Sequence, residues 1–259
     1  MVIKIDEEKW LRKILNDQNL DKNQLNNIKN LKKSITDTLK SNYLGGNPIF
    51  YNAGSYAKGT MIKTNYDLDI VAYWSPFYNH SVSELYYNVG KLLDRNWKGV
   101  SQKTVGWQIQ FRGNFHIDVI PGKLKPDKKD YAYLYNKDIN GRFETSVKKQ
   151  VKFIKRKRRQ KTIRLLKLWK IRKNVPIKTF ILELLTVFAC KGIPRKNLGD
   201  QLRATFNFMK NEILRIKLFD PANSNNLVSN DLTIEQKHRI KNLADQALNA
   251  KNWHEAFFK

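Results

Sequence analysis

The chain has 259 residues, a formal net charge of +26 and a hydrophobic fraction of 41%. This length predicts one large or two small domains. No apolar stretch approaches the roughly 20 residues that a membrane span needs, and the acidic start at 6–8 does not fit a secretory signal. The single cysteine, Cys190, excludes an internal disulfide. These features predict a cytoplasmic protein and argue against a membrane protein or a disulfide-rich secreted domain.

Two amphipathic helices open the chain, because apolar residues recur there at helical spacing. The first carries Trp10, Leu11, Ile14 and Leu15, and the second carries Leu25, Ile28, Leu31, Ile35 and Leu39. Residues 44–48, Leu-Gly-Gly-Asn-Pro, end the second helix. The apolar run 49–51 then predicts a strand.

A Gly-Ser pair followed by two aspartates carries the strongest signal in the chain. The sequence reads Gly54-Ser55, eleven further residues, then Asp67-Leu68-Asp69. Glycine lets a backbone come close to phosphate oxygens, and Ser55 adds a hydroxyl. We predict a short helical turn within residues 56–66. In the strand that follows, Asp67 and Asp69 share one face, because residues two apart point the same way.

A helix and a hairpin are predicted next. Ser81 and Glu84 form a capping box at the start of a helix. Alternation over residues 107–111 predicts a strand, and Gly113–Asn114 predicts a two-residue turn into a second strand. The second strand is therefore expected to run antiparallel to the first.

Asp118 stands in that second strand, inside the apolar run 115–121. Carboxylates held close together repel unless they are neutralised, and hard divalent cations prefer carboxylate oxygen. A third carboxylate from a neighbouring strand completes a site for in-line attack on a phosphate. We therefore predict phosphoryl or nucleotidyl transfer, with Asp67, Asp69 and Asp118 as catalytic residues. They are expected to hold two Mg²⁺ ions, with Mn²⁺ as the alternative.

From Ser146 onward the pattern is helical, with breaks near 174–176, 192–194 and 220–221. Thr233 and Gln236 are expected to cap the last helix. We accordingly predict two domains: residues 1–145, with the N-terminal helices and the catalytic core, and residues 146–259, a helical lobe.

The basic residues are concentrated in one segment. No acidic residue occurs from Thr145 to Leu182, while ten lysines and arginines crowd residues 148–164, which we call the basic segment. Like charges three and four residues apart destabilise a helix unless a polyanion neutralises them. We predict RNA binding by five residues of this segment, with a merely solvated basic surface as the alternative. They are Lys152, Lys155, Arg156, Arg158 and Arg159.

The motif Gly54-Ser55…Asp67-x-Asp69 resembles the signature of the polymerase-β-like nucleotidyltransferase superfamily. Later segments resemble its cGAS/DncV-like branch and the oligoadenylate-synthase relatives. Residues 164–169 look like the helix with a triphosphate-contacting lysine, here Lys167. Residues 176–185 look like the next helix, whose usual serine is Thr179. Residues 220–223, Asp-Pro-Ala-Asn, resemble an element before the last helix.

The resemblance implies an α+β fold, with a polymerase-β-like core of mixed twisted sheet and helices, a C-terminal helical lobe, and the active site between them. It implies that Lys167 and Thr179 join Gly54 and Ser55 in nucleotide binding. Of the three aspartates, we expect Asp118 to accept the proton of the acceptor hydroxyl.

The implied activity is template-independent synthesis of a cyclic or linear oligonucleotide second messenger from nucleoside triphosphates, ATP among them, in bacterial antiviral defence. The basic segment suggests that RNA activates it. The main alternative is an RNA-tailing or CCA-adding transferase, and a second is a catalytically idle nucleic-acid-binding protein. No motif indicates an oligomeric state.

Overall fold

The computed structural model describes residues 2–43, 45–113 and 115–258, with side chains from Asp6 onward. The chain divides into two compact units. We call Leu20–Met61 with Asn65–Val151 the sheet unit, and Met1–Asn19 with Ile62–Thr64 and Lys152–Lys259 the helical unit. None of the described helices is long and apolar enough to cross a bilayer.

The sheet unit alternates helices and strands along the chain. Its helices are α2 (Lys22–Asn42), α3 (Gly54–Lys58) and α4 (Val82–Asn96), with a 3-10 turn at Lys137–Ile139. Its strands are β1 (Ile49–Asn52), β2 (Asp67–Trp74), β3 (Val100–Gln102), β4 (Trp107–Gln110), β5 (His116–Leu124), β6 (Ala132–Asn136) and β7 (Gly141–Thr145). Helix α5 (Val147–Lys157) begins in this unit and ends in the helical unit.

The seven strands form one mixed sheet in the order β1-β2-β5-β4-β3, with β6 paired to β5 and β7 paired to β6. Strands β2 and β5 run parallel, and every other pair is antiparallel. The long β5 pairs with β4 through its first half and with β6 through its second half. The predicted mixed sheet is confirmed.

One face of the sheet packs against helices α2 and α4. Alternate residues of the central strands, Leu68 and Ile70 from β2 and Ile117 and Val119 from β5, are fully buried in a cluster with apolar residues of both helices. Because side chains alternate across a strand, the residues between them project from the opposite face. The burial of the core face therefore determines which residues of β2 and β5 project from the opposite face.

The helical unit is built around α7 (Thr179–Ala189), in which the residues from Ile181 to Val187 are all buried. A helix that is buried all round lies at the centre of its unit. Around it are α1 (Val2–Asp17), α6 (Gln160–Arg172), α8 (Leu198–Glu212), α9 (Ile234–Asn249) and α10 (Trp253–Phe258). Their apolar residues form one continuous core.

Several sequence predictions can be compared with these elements. The capping boxes Ser81/Glu84 and Thr233/Gln236 are confirmed, and β4 and β5 form the predicted antiparallel hairpin. The predicted Gly113–Asn114 turn includes Asn114, and the break at 44–48 includes Leu44; both residues lie outside the described part. The short helical turn begins earlier than predicted, at Gly54.

Two expectations about the C-terminal half need correction or comment. The chain after Ser146 is not wholly helical, because Phe219–Asp220 (β8) and Asn223–Leu227 (β9) form a small antiparallel hairpin. A domain boundary at residues 145/146 stays a prediction. The contacts that define the compact units place residues up to Asn19 in the helical unit, since α1 packs against α6 and α8.

Candidate active site

Three aspartates project from the face of the sheet opposite to α2 and α4. Strands β2 and β5 are parallel neighbours in a register that places Asp69 beside Asp118 and Asp67 beside His116. All four residues are half-buried, and they alternate with the buried residues of the core face. The predicted shared face of the three carboxylates is confirmed. We call it the carboxylate face; the roles of its residues stay predictions.

The turn after β1 lies directly against this face. The Ala53 N–H donates to the Asp69 carbonyl over 2.9 Å, so the backbone follows β2 up to Gly54. Gly54 has a φ of +51°, and a Cβ at this position would lie 1.6 Å from Oδ2 of Asp69. Only glycine tolerates both that φ and that approach. The absent side chain is what allows the turn and the carboxylate to be adjacent.

Ser55 also contacts an aspartate. Its hydroxyl donates to Oδ1 of Asp67 over 3.2 Å, and the residue is buried. We predicted a hydroxyl directed at phosphate; in this structure it orients a carboxylate. The Gly54–Ser55 pair thus contacts both aspartates of β2. The backbone of Gly54 packs against Asp69, and the hydroxyl of Ser55 is hydrogen-bonded to Asp67.

The electrostatics of the face centre on Asp118. Burial raises the pKa of this carboxyl; the His116 ring opposes the rise, Asp67 adds to it, and Lys103 also opposes it. Nε2 of His116 lies 4.0 Å from Oδ2 of Asp67 and 4.0 Å from Oδ1 of Asp118. Oδ1 of Asp118 is buried and has no hydrogen-bond partner among the described residues. A buried carboxylate oxygen without a partner is costly, and a cation would relieve that cost.

The donor set suits a hard divalent cation, since it consists of carboxylate oxygens on adjacent strands. The unpartnered oxygen of Asp118 fits the same interpretation. Within the described residues, no three His, Cys, Asp or Glu side chains already converge as a metal-binding group. The carboxylates are adjacent on neighbouring strands of the sheet.

The two predicted nucleotide-binding residues outside this face belong to the helical unit. Lys167 lies on α6 and is only 8% exposed. Thr179 is the first residue of α7, and its hydroxyl accepts a hydrogen bond from Lys170 over 3.4 Å.

The basic segment is divided between exposed and buried residues. Lys152, Lys155 and Arg156 are exposed on α5, and Arg158 is exposed just after it. Arg159 was predicted to bind RNA, and this must be corrected. Its side chain is 9% exposed, and its Nη2 donates to the carbonyls of Cys190 and Ile193, each over 2.7 Å. Arg159 therefore fastens the end of α7 and is unavailable to a phosphate.

Sequence reasoning missed two residues beside the aspartates. Gln108 on β4 lies directly opposite Asp118 on β5, and the charge of Lys103 acts on Asp118. Alternation within residues 107–111 predicted the strand, but the partner of each residue depends on a register that no local pattern encodes.

Comparison with known proteins places this geometry in a family. The SMODS family, described as the Second Messenger Oligonucleotide or Dinucleotide Synthetase domain, matches residues 6–157, more than half of the chain. The "CBASS oligonucleotide cyclase CdnC" of Escherichia coli (strain KTE188) is 24% identical over 243 residues, which cover 80% of this chain and 75% of the relative.

Two further proteins agree. The "Cyclic AMP-AMP-AMP synthase" of Escherichia coli (strain MS 115-1) is 26% identical over 228 residues, covering 77% of this chain and 70% of the relative. The solved structure of E. coli MS115-1 CdnC with ATP aligns with a TM-score of 0.77 at 21% identity, covering 98% of both chains.

Fold and family together define a nucleotidyltransferase with a polymerase-β-like core, of the cGAS/DncV-like class that the sequence resembles. The chain belongs to the SMODS family of second messenger oligonucleotide or dinucleotide synthetases.

Proposed function

We propose that this enzyme joins nucleoside triphosphates, ATP among them, into a cyclic or linear oligonucleotide that serves as a second messenger in CBASS antiviral defence in the cytoplasm. The observation that carries the proposal is the register of β2 and β5, with Asp69 beside Asp118 and Gly54 packed on Asp69. Relatives named as a CBASS cyclase and as a cyclic AMP-AMP-AMP synthase support the pathway and the choice of ATP.

The proposed reaction is a single displacement at phosphorus. A ribose hydroxyl oxygen of the acceptor attacks the α-phosphorus of the donor, a new phosphorus–oxygen bond forms, and the bond to the β-phosphate oxygen breaks. Pyrophosphate leaves and the hydroxyl proton passes to Asp118. A raised pKa suits this residue to accept a proton.

Asp67, Asp69 and Asp118 are the residues that would hold two Mg²⁺ ions, or Mn²⁺ in their place. When bound, the ions would neutralise the donor triphosphate and the departing pyrophosphate and acidify the acceptor hydroxyl. His116, 4.0 Å from two of these carboxylates, offsets part of their mutual repulsion when it is protonated.

The donor phosphates are assigned to Gly54 and Ser55, and the resemblance adds Lys167 and Thr179. Gly54 supports this assignment because its bare backbone lies against Asp69. The role of the two helical residues rests on the resemblance, supported by the burial of Lys167.

Activation by RNA is the part of the proposal that rests on charge. Lys152, Lys155, Arg156 and Arg158 are exposed and carry four positive charges within seven residues. Basic strips of this kind bind phosphate backbones through counterion release. An RNA-tailing enzyme would use the same residues to hold its acceptor, but membership of a messenger-synthetase family favours the synthase.

Incubation with α-³²P-labelled nucleoside triphosphates tests the proposal, in Mg²⁺ or in excess EDTA and with or without RNA. We expect small phosphatase-resistant products in Mg²⁺, none in EDTA, and a faster rate with RNA. Lengthened RNA without small products would indicate the tailing enzyme. Absence of any turnover in Mg²⁺ would contradict both.

A further inference from the structure

Polar side chains continue from Asp118 across the sheet, away from the Gly54–Ser55 turn. Gln108 on β4 is paired with Asp118, and Ser101 on β3 is paired with Gln108. Side chains directly opposite each other in antiparallel strands project from the same face. Ser101, Gln108 and Asp118 therefore form one row on the carboxylate face, while Ile109 between the glutamines is buried in the core.

Lys103 extends this row. It follows Ser101 by two residues, and its N–H donates to the Gly106 carbonyl over 2.9 Å. This bond continues the pairing of β3 with β4, so the alternation of the strand places Lys103 on the same face, where it is exposed. We call Ser101, Lys103 and Gln108 the polar strip.

The backbone under Lys103 is fixed on both sides. The Tyr86 hydroxyl of α4 donates to the Lys103 carbonyl. The Thr104 hydroxyl donates to Asp138 over 2.7 Å, and the Lys137 N–H donates to the Thr104 carbonyl over 3.0 Å. The hairpin between β3 and β4 is thereby fastened to a helix and to the 3-10 turn. Lys103 reaches the face from a held backbone rather than from a mobile loop tip.

Gln108 is oriented as well. Its Nε2 donates to Oε1 of Gln110 over 3.3 Å. Gln110 in turn donates to three carbonyls of the hairpin loop, those of Phe111, Gly113 and Phe115. The bond to Gln110 holds the Gln108 amide on β4, directly opposite Asp118 on β5.

We propose that the polar strip binds the acceptor nucleotide, with Gln108 positioning its ribose at Asp118 and Lys103 binding its 5′-phosphates. Neighbouring strands lie about 4.8 Å apart, so β3 is about 10 Å from β5, a distance that a nucleotide and a lysine side chain together span. The Gly54–Ser55 turn assigned to the donor lies on the other side of the carboxylates. This inference rests on the proposed function and adds where the second substrate binds.

A pair of acceptors tests the role of Lys103. A nucleoside has the ribose hydroxyls of an acceptor but no phosphates and cannot act as donor. Mixed with α-³²P-labelled nucleoside triphosphate, it yields a dinucleoside monophosphate, whereas the triphosphate acceptor yields a product with a 5′-triphosphate. We expect the wild type to prefer the triphosphate acceptor by kcat/KM, and Lys103→Ala to lose about tenfold of that preference, as one charged hydrogen bond predicts.

Lys98→Ala is the matched control. Lys98 is also exposed and flanks the same strand, but at its other end, and its removal should leave the ratio of the two rates at the wild-type value. Equal loss of both reactions in Lys103→Ala, or an unchanged ratio, would overturn the assignment. So would a wild type with no preference between the acceptors. A wild type that makes neither product would instead refute the proposed function.

Gln108→Ala tests the other half of the strip. Because both acceptors carry the ribose, this change should raise KM for both by about the same factor, on the order of fivefold for one neutral hydrogen bond. The ratio that Lys103 controls should not move. Unchanged acceptor KM values in Gln108→Ala would remove Gln108 from the site, and a thermal melt of each variant checks that it is folded.

Discussion

The carboxylate face and the basic segment both place like charges close together, but they differ in how deeply and how firmly those charges are held. The aspartates are half-buried on two paired strands whose register fixes their separation, and one oxygen of Asp118 is buried with no hydrogen-bond partner in the described part of the chain. Lys152, Lys155 and Arg156 of α5 are exposed, and in water screening and side-chain freedom make the repulsion between them small. A fixed, desolvated cluster of charges needs a counter-ion and so is strong evidence for a functional site. A run of exposed charges needs none and is weaker evidence.

The largest effect should come from removing the fixed charges. Asp67→Asn combined with Asp69→Asn should lower the transfer rate by at least about 10³-fold, because two of the three proposed metal ligands are lost. The same double variant should melt at the wild-type temperature or above it without Mg²⁺, since crowded charges are removed. Rates from labelled product and melting curves in EDTA measure the two effects. A variant that retains wild-type turnover would rule out the metal assignment.

Gly54→Ala should be nearly as damaging to activity, for a steric reason. The new Cβ would overlap the Asp69 carboxylate, at 1.6 Å from Oδ2, and displacing a catalytic group by about 1 Å costs on the order of 100-fold in rate. Gly113→Ala is the control. It has a similar φ, +68°, but no atom within 4 Å of the added Cβ, so it should cost about 1 kcal/mol of backbone strain and leave turnover unchanged. Equal rates in the two variants would contradict the close packing of Gly54 on the face.

Within the basic segment, replacing Arg159 should destabilise the fold, whereas replacing the neighbouring Arg158 should not. Arg159→Ala leaves the carbonyls of Cys190 and Ile193 without their donor, at a cost of about 3 kcal/mol. Arg158 is exposed with φ +54°, and Arg158→Ala should change stability by less than about 0.5 kcal/mol.

Cys190 makes this comparison easy to read, because it is the only cysteine in the chain and is fully buried. Burial also raises the pKa of its thiol, which keeps it unreactive towards thiol reagents. Arg159→Ala should speed its labelling by a disulfide reagent in native buffer, and Arg158→Ala should not. Similar labelling rates in both variants would mean that Arg159 does not hold the end of α7.

The sequence predicted what depends on local pattern and failed where packing decides. Alternation in a strand was enough to put Asp67 and Asp69 on one face, and capping chemistry was enough to locate the starts of α4 and α9. No local feature distinguishes Arg159 from Arg158, because its burial depends on carbonyls some thirty residues away in the chain. The partners of Gln108 and the attachment of α1 to the helical unit likewise depend on tertiary contacts.

The smallest effect on stability, and the sharpest test of the exposed charges, comes from the basic segment itself. Lys152, Lys155, Arg156 and Arg158 are changed together to glutamate. Four phosphate contacts at about −0.7 to −0.9 each give a slope of log K against log salt of roughly −2.8 to −3.6 for RNA binding to the wild type. The variant should lose that slope together with RNA-stimulated synthesis, while its melting temperature stays close to that of the wild type, because exposed charges contribute little to stability.

A second variant provides a control with the same change in net charge. In it, four exposed lysines of α2 are changed to glutamate: Lys22, Lys29, Lys33 and Lys40. If both variants lose RNA binding alike, the attraction is to overall charge and the basic segment is not a specific site. If only the variant of the basic segment loses RNA binding, its exposed charges form a specific site. The basic segment and the carboxylate face would then both bind a charged partner, and they would differ in how strongly burial demands one.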